Sequence, residues 1–466
     1  MRYAFVLGRV YTLSLAELLE VLKNLVVGYK ILACSQDVVV IETDKPLDIA
    51  KLQLRLGGII KIIRLIDIFQ KKGKEYPSQV LENYFTFKKI KSEYFSDYSG
   101  KKQFGVSIYT LDPTMRFREE SQRIAFLIKR ILQEESQSVR AVIPQFPAQS
   151  LSSVLVNENQ LLQKGAEIVI IAGNQKLFIG KTLTVQNYED YGRRDYQRPA
   201  RDERVGMIPP KVAQAMINMA GPLKPMDCIL DPFCGSGTIL QEAIFMGFKG
   251  IGSDLEQRMV ENSEKNLEWF RNRYHVALGR YKLFTSHAAE IASQLPPDSK
   301  ISAIVSEGTL GPIYGKLPKK SEMQENFKNL SKLYDQVFKE FKKILPEGHR
   351  IVLCLPAYKI SHSDYESMPD LDFATQNGYT VVDPISPDLT AKYKFLRVTP
   401  RKSIIYDRKD QVVAREIIIF SSFAQSFGGS AESLSEGGHN GKQEVRAETV
   451  VEGIELPETE SETKAQ

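Results

Sequence analysis

Asp231-Pro232-Phe233-Cys234-Gly235-Ser236-Gly237-Thr238 is the stretch of this 466-residue chain whose residue types and spacing point most directly to chemistry. It follows the apolar run Cys228-Ile229-Leu230 and precedes Ile239-Leu240-Gln241-Glu242-Ala243, so it reads as a strand, a tight glycine-rich turn and a helix start. Gly235 and Gly237 can take backbone conformations closed to other residues and leave room for a ligand. Thr238 and the helix behind it offer free N–H groups. A turn of this kind at the carboxyl edge of an open α/β sheet is where a nucleotide-like ligand binds. Phosphate signatures are missing: there is no GxxxxGK[ST], and Leu240 stands where the third glycine of GxGxxG would. Asp231, at the strand end, suits a cationic or hydroxyl-bearing ligand better than a pyrophosphate. Gly250-Ile251-Gly252-Ser253-Asp254 ends the next strand in a second acid, placed to hold both hydroxyls of a ribose. Singly, each part also reads as a plain turn or a surface acid. As an ordered set, two acids flanking a glycine turn fit S-adenosylmethionine.

The elements that must position these residues follow an alternating pattern. From 206 onward the chain reads as helix 210–219, the strand ending at Leu230, a helix to 246, strand 250–252, helix 259–271, strand 303–305, helix 328–345, and strands 351–355 and 415–420. Strands alternating with helices imply a mostly parallel sheet covered on both faces. Upstream, residues 1–75 mix a strand at 3–10, a helix at 13–22 with Ser14 as its cap, and Ile- and Val-rich strands at 38–41 and 59–68. Residues 76–182 repeat that style, with strand 104–109, a basic amphipathic helix over 119–133 and apolar runs at 154–156, 167–171 and 176–182. Residues 183–205 read as a polar linker carrying Arg193, Arg194, Arg198, Arg201 and Arg204 with Tyr191 and Tyr196 between them. Beyond 423 the chain turns to Gly, Ser and Glu with few apolar residues, a composition that stays disordered.

Composition limits the function classes. Charged residues are 26% and hydrophobic residues 42%, so most of the chain folds around ordinary cores. Arg9 soon interrupts the first apolar residues, so no secretory leader is expected, and no run approaches the ~18 apolar residues of a membrane span. Cys34, Cys228, Cys234 and Cys354 form no CxxC and the five histidines no ligand spacing, which fits a reduced cytoplasmic protein without structural metal. Net charge is +5, but the tail beyond 423 holds nine Glu against Lys442, Arg446 and Lys464, which leaves the body at +11. A basic body suits a polyanionic partner.

DPFCGSGT followed by ILQEA, then GSDLEQRMVENSEKNL, resembles the methyltransferase domain of the THUMP-containing RNA methyltransferases, most of all the branch that methylates guanosine N2 in tRNA. The likeness continues through residues 191–202, through Gly206-Met207-Ile208-Pro209-Pro210-Lys211-Val212-Ala213, and through 406–411 with Arg415-Glu416. Residues 104–182, with Ser138-Val139-Arg140 and Leu151-Ser152-Ser153, are similar to a THUMP domain. The resemblance covers roughly 1–423 and is strongest over about 185–270. It implies an α/β chain in which a C-terminal Rossmann-like methyltransferase domain (206–423), with a mostly parallel seven-stranded sheet, follows a ferredoxin-like α+β module (1–75) and a THUMP-like RNA-binding domain (76–182). It also implies that Asp231, Gly235 and Gly237 line the methionine end of the cofactor, with Asp254 on the ribose and His287-Ala288 at the adenine. The expected pocket set is Asp231, Phe233, Gly235, Ser236, Gly237, Thr238, Asp254, Leu255, His287 and Ala288. The expected partner is tRNA or another structured RNA, with or without a small helper subunit.

The resemblance breaks at one place that matters. Amino-methylating members carry Asp/Asn-Pro-Pro-aromatic after the fourth strand of the domain. The exocyclic amine of a base is a poor nucleophile, so a side-chain oxygen and a backbone carbonyl accept its hydrogens while the ring stacks on the flipped base. Here Ser306-Glu307-Gly308-Thr309-Leu310-Gly311-Pro312 stands at that place, and Glu307 is the candidate acceptor. Three readings follow: an active RNA methyltransferase with a variant loop, an RNA-binding protein that has lost catalysis, and a DNA amino-methyltransferase. Nothing resembling the catalytic segment precedes Asp231, as DNA enzymes with such a turn often require. For RNA, Arg193, Arg194, Arg198, Arg201 and Lys316 are the candidate phosphate contacts, the arginines alternatively pairing with Asp190 or Asp195 as struts. The basic runs at 71–74 and 88–91, with Tyr84, Phe85, Phe87, Tyr94 and Phe95 beside them, either stack on bases or turn their rings into the core.

Overall fold

The protein's architecture comes from a computed structural model that describes residues 1–72, 75–95, 100–115, 117, 119–145, 147–201, 207–361, 364–408 and 411–422. The tail beyond 423, with Gly73, Lys74, Arg204, Lys409 and Asp410, lies outside the described residues. The chain divides into two compact units, 1–197 with 385–398, and 198–384 with the segment from 399 onward.

The first unit is built on one eight-stranded sheet. Its strands are β1 (Arg2–Leu7), β2 (Tyr29–Cys34), β3 (Val38–Thr43), β4 (Ile59–Gln70), β5 (Lys102–Thr110), β6 (Val139–Val142), β7 (Gly165–Ala172) and β8 (Lys176–Val185), in the order β2-β3-β1-β4-β8-β7-β5-β6. This differs from two separate modules at 1–75 and 76–182. The antiparallel pairing of β4 with β8, from Lys61↔Val185 to Gln70↔Lys176, makes their sheets one. A buried polar knot spans that seam. Lys61 Nζ donates to Glu167 Oε1 (2.5 Å) and to the Leu151 carbonyl (2.6 Å). Ser107 and Thr182 hydroxyls donate to the same carboxylate at 2.5 and 2.6 Å. Every partner is needed, because an unpaired charge at this depth costs several kcal/mol (about 3–5).

The first part of the expected linker 183–205 is regular structure. β8 runs to Val185, and Tyr188–Tyr196 is a helix whose Asn187 side chain accepts the Asp190 N–H. Ser14 is not a cap: it lies inside the helix Tyr11–Asn24 and donates its hydroxyl to the Val10 carbonyl. The apolar run 154–156 sits in the short helix Ser153–Glu158, capped by Ser152.

The second unit carries β9 (Cys228–Asp231), β10 (Lys249–Asp254), β11 (Tyr281–Thr285), β12 (Ile301–Ser306), β13 (Arg350–Lys359), β14 (Tyr365–Ser367), β15 (Thr380–Val381), β16 (Ile404–Tyr406) and β17 (Val413–Ser421). Seven of them follow the path β11-β10-β9-β12-β13-β17-β15, with β14 against β13 and β16 against β17. β9 to β13 are mutually parallel and β17 is antiparallel to β13, giving the mostly parallel sheet expected. β13 is buried from Arg350 to Tyr358, as a strand covered on both faces must be. The helix Lys320–Ile344 is longer than its apolar pattern suggested, and Met323, Phe327, Leu330, Tyr334, Val337, Phe338 and Phe341 face the core at helical spacing. Strand order reverses beside β9, so the carboxyl ends of β9 and β12 open into a crevice.

Candidate active site

The glycine turn closes on itself and on the next strand. Cys234 N–H donates to the Ser253 carbonyl (2.9 Å), and Gly237 N–H to the Cys234 carbonyl (2.8 Å). Gly235 N–H donates to Asp254 Oδ2 (3.0 Å). Both glycines are left-handed, at φ +52° and +82°, which side chains rarely tolerate. A Cβ on Gly237 would run into Ser263, whereas one on Gly235 would meet no atom within 4 Å. The space over Gly235 is part of a solvent-open cleft of ≈ 440 Å³ lined by Met207, Ile208, Asp231, Phe233, Cys234, Gly235, Ser236, Thr238, Ile239, Met259 and Glu307.

Two acids set the electrostatics of this region. Asp231 is buried, and its Oδ1 accepts the Ser306 hydroxyl (2.6 Å) and the Phe233 N–H (3.2 Å). Burial pushes its carboxyl up to about 7, against the pull of those two bonds. Asp254, half-buried at the end of β10, accepts Gly235 N–H and Glu256 N–H, and burial raises it too. The Leu255 N–H is a third donor to this carboxylate, which leaves one of its about four lone-pair sites for a further donor.

Glu307 follows β12. Its Oε1 accepts Arg415 Nε (2.6 Å) and Nη2 (2.5 Å), and its Oε2 accepts the Ile208 N–H (3.2 Å). Arg408 braces the same wall by donating to the Met207 carbonyl (3.0 Å). The loop beyond Glu307 cannot copy a diproline backbone, since Gly308 has φ +64° and proline is fixed near −65°. A Cβ there would also stand 2.5 Å from Tyr334 Oη. Tyr334 instead clamps Thr309, accepting its N–H (3.0 Å) and donating to its carbonyl (3.1 Å). Gly308 N–H donates to Ser306 Oγ (3.0 Å), and its carbonyl has no partner among the described residues.

Of the residues expected at the pocket, Asp231, Phe233, Gly235, Ser236, Thr238 and Glu307 line the cleft. Asp254 reaches it through Gly235, while Gly237 shapes the turn from behind. Leu255 is 65% exposed beside Asp254. His287 Nδ1 accepts the Ala289 N–H (3.1 Å), buried Ala288 follows it, and the preceding Ser286 N–H donates to the Asp254 carbonyl (3.0 Å). Met207, Ile208, Met259, Ser306 and Arg415 were missed. All five lie in stretches quoted for the resemblance or in the variant loop, but none was singled out as a pocket residue.

The arginine expectation needs correction. Arg194 is 1% exposed, paired with Asp190 (3.0 Å) and stacked on Tyr191 (4.4 Å), so it is the strut and not a phosphate contact. Arg198 is 3% exposed and donates to Thr238 Oγ1 (2.7 Å), on the wall of the cleft. Arg193 is partly exposed near Glu189 (3.6 Å), while Arg201 and Lys316 lie at the surface. Tyr84, Phe85, Tyr94 and Phe95 belong to the core of the first unit with Phe87 packed against it, so they are not stacking platforms. Burying their rings outweighs exposing them for bases.

Residues 194–380 match the family model described as RMKL-like, methyltransferase domain. A model described as DNA methylase also matches, over 65–265, a stretch that ends before Glu307. The tRNA (guanine(10)-N2)-dimethyltransferase of Methanothermobacter thermautotrophicus is 31% identical over 209 residues, 45% of this chain and 54% of that protein. The protein of the same name from Methanocaldococcus jannaschii is 32% identical over 163 residues, 35% and 44% of the two chains. The chain thus spans about half the length of the curated relatives it matches. The solved structure of TrmN from Thermus thermophilus superposes with a TM-score of 0.50 at 15% identity, covering 90% of this chain and 99% of that one, which shows the fold. These findings bear out the resemblance read from the sequence.

The cofactor of the methyltransferase domain is S-adenosylmethionine, and the residues present fit it. The cleft wall supplies a buried carboxylate for a positively charged methionine end. The open space over Gly235 gives the ligand room, and the remaining lone pair of Asp254 can take a ribose hydroxyl. Among the described residues no lysine lines the cleft, in keeping with a ligand that carries no phosphate. Among the described residues no cluster of His, Cys, Asp or Glu could hold a metal ion, and no helix is long and apolar enough to cross a membrane.

Proposed function

We propose that the protein transfers a methyl group from S-adenosylmethionine to the exocyclic N2 of guanosine in tRNA. The observation that carries this reading is the place of Glu307 Oε2, a partly exposed carboxylate oxygen on the same cleft wall as Asp231. When bound, the cofactor supplies an electrophilic methyl group for an in-line displacement, so the protein's work is positioning. An aromatic amine has a delocalised lone pair and needs acceptors for its hydrogens as that pair moves toward carbon. Glu307 Oε2 and the Gly308 carbonyl supply those acceptors on one loop, and the Phe233 ring on the cleft wall is the surface for the flipped base. The nitrogen would gain the methyl carbon as the sulfur–methyl bond breaks and S-adenosylhomocysteine leaves, and its proton would pass by way of Glu307 Oε2 to solvent. Arg201 and Lys316, exposed in the second unit, and Lys88 and Lys91, exposed in the first, are among the exposed basic residues that can meet phosphates.

The second reading is an RNA-binding protein that keeps only the cofactor fold, favoured by the filling of Glu307 Oε1 by Arg415. One experiment separates the two. The protein is incubated with labelled S-adenosylmethionine and, in separate reactions, unmodified tRNA or DNA, and the nucleosides are analysed by mass spectrometry. N2-methylated guanosine is the expected product. Labelled DNA with unlabelled tRNA would move the activity to DNA, and cofactor binding without any product would favour the silent reading.

A further inference from the structure

We infer that Arg415 is a positioning residue of the transfer site: its guanidinium fixes the Glu307 carboxylate so that one lone pair of Oε2, and none of Oε1, is offered to the substrate amine. The inference rests on the methyl-transfer reading above. A carboxylate oxygen has two lone pairs. Both on Oε1 are used by Arg415, through Nε at 2.6 Å and Nη2 at 2.5 Å. On Oε2 the Ile208 N–H takes one at 3.2 Å and leaves one. The far side of the guanidinium is held as well, since Nη1 donates to Gln411 Oε1 (2.7 Å).

The strands make this clamp rigid. Ser306, beside Glu307, pairs with Leu353 of β13, and Arg415 on β17 pairs with Pro356 of the same β13. Glu307, one residue past the end of β12, and Arg415 on β17 are therefore set by the two strands that flank β13. Arg415 has 2% of its side chain exposed and Glu307 19%, so the cation lies beneath the carboxylate and only the carboxylate meets the cleft. A glutamate one methylene longer than aspartate has an extra torsion to misplace its oxygens. The planar guanidinium fork removes that freedom, which a lysine's single point of charge does not do.

The test compares wild type, Arg415→Ala, Arg415→Lys, Gln411→Ala, Glu307→Ala and the Arg415→Ala/Glu307→Ala pair on unmodified tRNA. Affinity for S-adenosylhomocysteine is measured alongside by calorimetry. Arg415→Ala is expected to lower kcat by about 10²-fold, the cost of a small misplacement of a reacting group. Cofactor affinity and KM for tRNA should stay near wild type. Methylguanidinium added to the solution should restore part of the rate, and Arg415→Lys should fall between Ala and wild type. In the Glu307→Ala background, removing Arg415 should cost nothing further. Gln411→Ala keeps the guanidinium and should lower kcat several-fold, which preserves the test should Arg415→Ala fail to fold. Full activity in Arg415→Ala, or in Gln411→Ala where that variant decides, overturns the inference. So does a loss of rate that is independent of Glu307 and tracks weakened cofactor binding. A wild-type protein that binds S-adenosylhomocysteine but methylates no RNA counts against the methyl-transfer reading instead.

Discussion

Replacing Ser306 by Ala probes how the cleft keeps a buried acid usable. The hydroxyl donates to Asp231 Oδ1 at 2.6 Å, and it opposes the burial that pushes this carboxyl up to about 7. A hydrogen bond to a charged group contributes about 1.5–3 kcal/mol. At about 1.4 kcal/mol per unit, its loss raises the Asp231 midpoint by roughly one to two units. The ionised carboxylate is the form that attracts a positively charged methionine end. Affinity for S-adenosylhomocysteine should therefore rise with pH through about 7 in the wild type. In Ser306→Ala the rise moves to about pH 8–9, with binding at pH 7 weaker by roughly 5- to 50-fold. Calorimetric titration between pH 5.5 and 10 measures both curves. An unchanged midpoint, or a deficit equal at every pH, would refute the reasoning. The same raised carboxyl acts oppositely on folding. Its contribution is fully present below the unfolded carboxylate value near 4 and is lost as pH rises through about 7, by up to roughly 4 kcal/mol. The ligand-free wild type should gain thermal stability from this group toward pH 5, and Asp231→Asn should flatten that trend.

Other perturbations separate the parts of the account. Glu307→Gln, at roughly constant volume, should slow methyl transfer by about 10²-fold while calorimetry finds cofactor affinity unchanged; undiminished turnover would exclude Glu307 as the acceptor. Gly308→Ala forces a left-handed non-glycine residue against Tyr334 and should destabilise the protein by about 1–3 kcal/mol in chemical denaturation, with transfer impaired before cofactor binding. Lys61→Met strands Glu167 in the first unit and should cost about 3–5 kcal/mol on denaturation; a change below ~1 kcal/mol would mean the knot has another charge partner. Affinity for tRNA should fall steeply between 50 and 200 mM salt in a filter-binding assay, and indifference to salt would remove the polyanion reading.

Much of the methyltransferase sheet was legible because its signals are local. The turn 231–238 needs only two glycines between a strand and a helix, and Asp254 is marked by ending the next strand. The alternation of apolar runs gave the parallel sheet, and the family resemblance supplied Glu307's place. What stayed hidden depends on partners distant in sequence. Ser306 meets Asp231 across 75 residues, and Arg415 meets Glu307 across 108. Neither pairing has a period or motif of its own. The arginines between 193 and 201 read as a phosphate-binding series because charge suggests exposure. Arg194 and Asp190 nevertheless stand four apart on one helix, which is the local sign of a strut. The continuity of the first sheet was invisible for a related reason, since β4 and β8 lie more than a hundred residues apart.

The central claim is that the cleft delivers a methyl group to an exocyclic amine held by Glu307 and Gly308. Inosine differs from guanosine by lacking that amine. The most direct measurement is single-turnover transfer to two tRNAs that differ only at the nucleotide found methylated by mass spectrometry, one with guanosine there and one with inosine. Transfer to the guanosine tRNA and none to the inosine tRNA is the predicted result. Equal transfer to both would contradict the account, because the methyl group would then be going to an atom that neither acceptor serves.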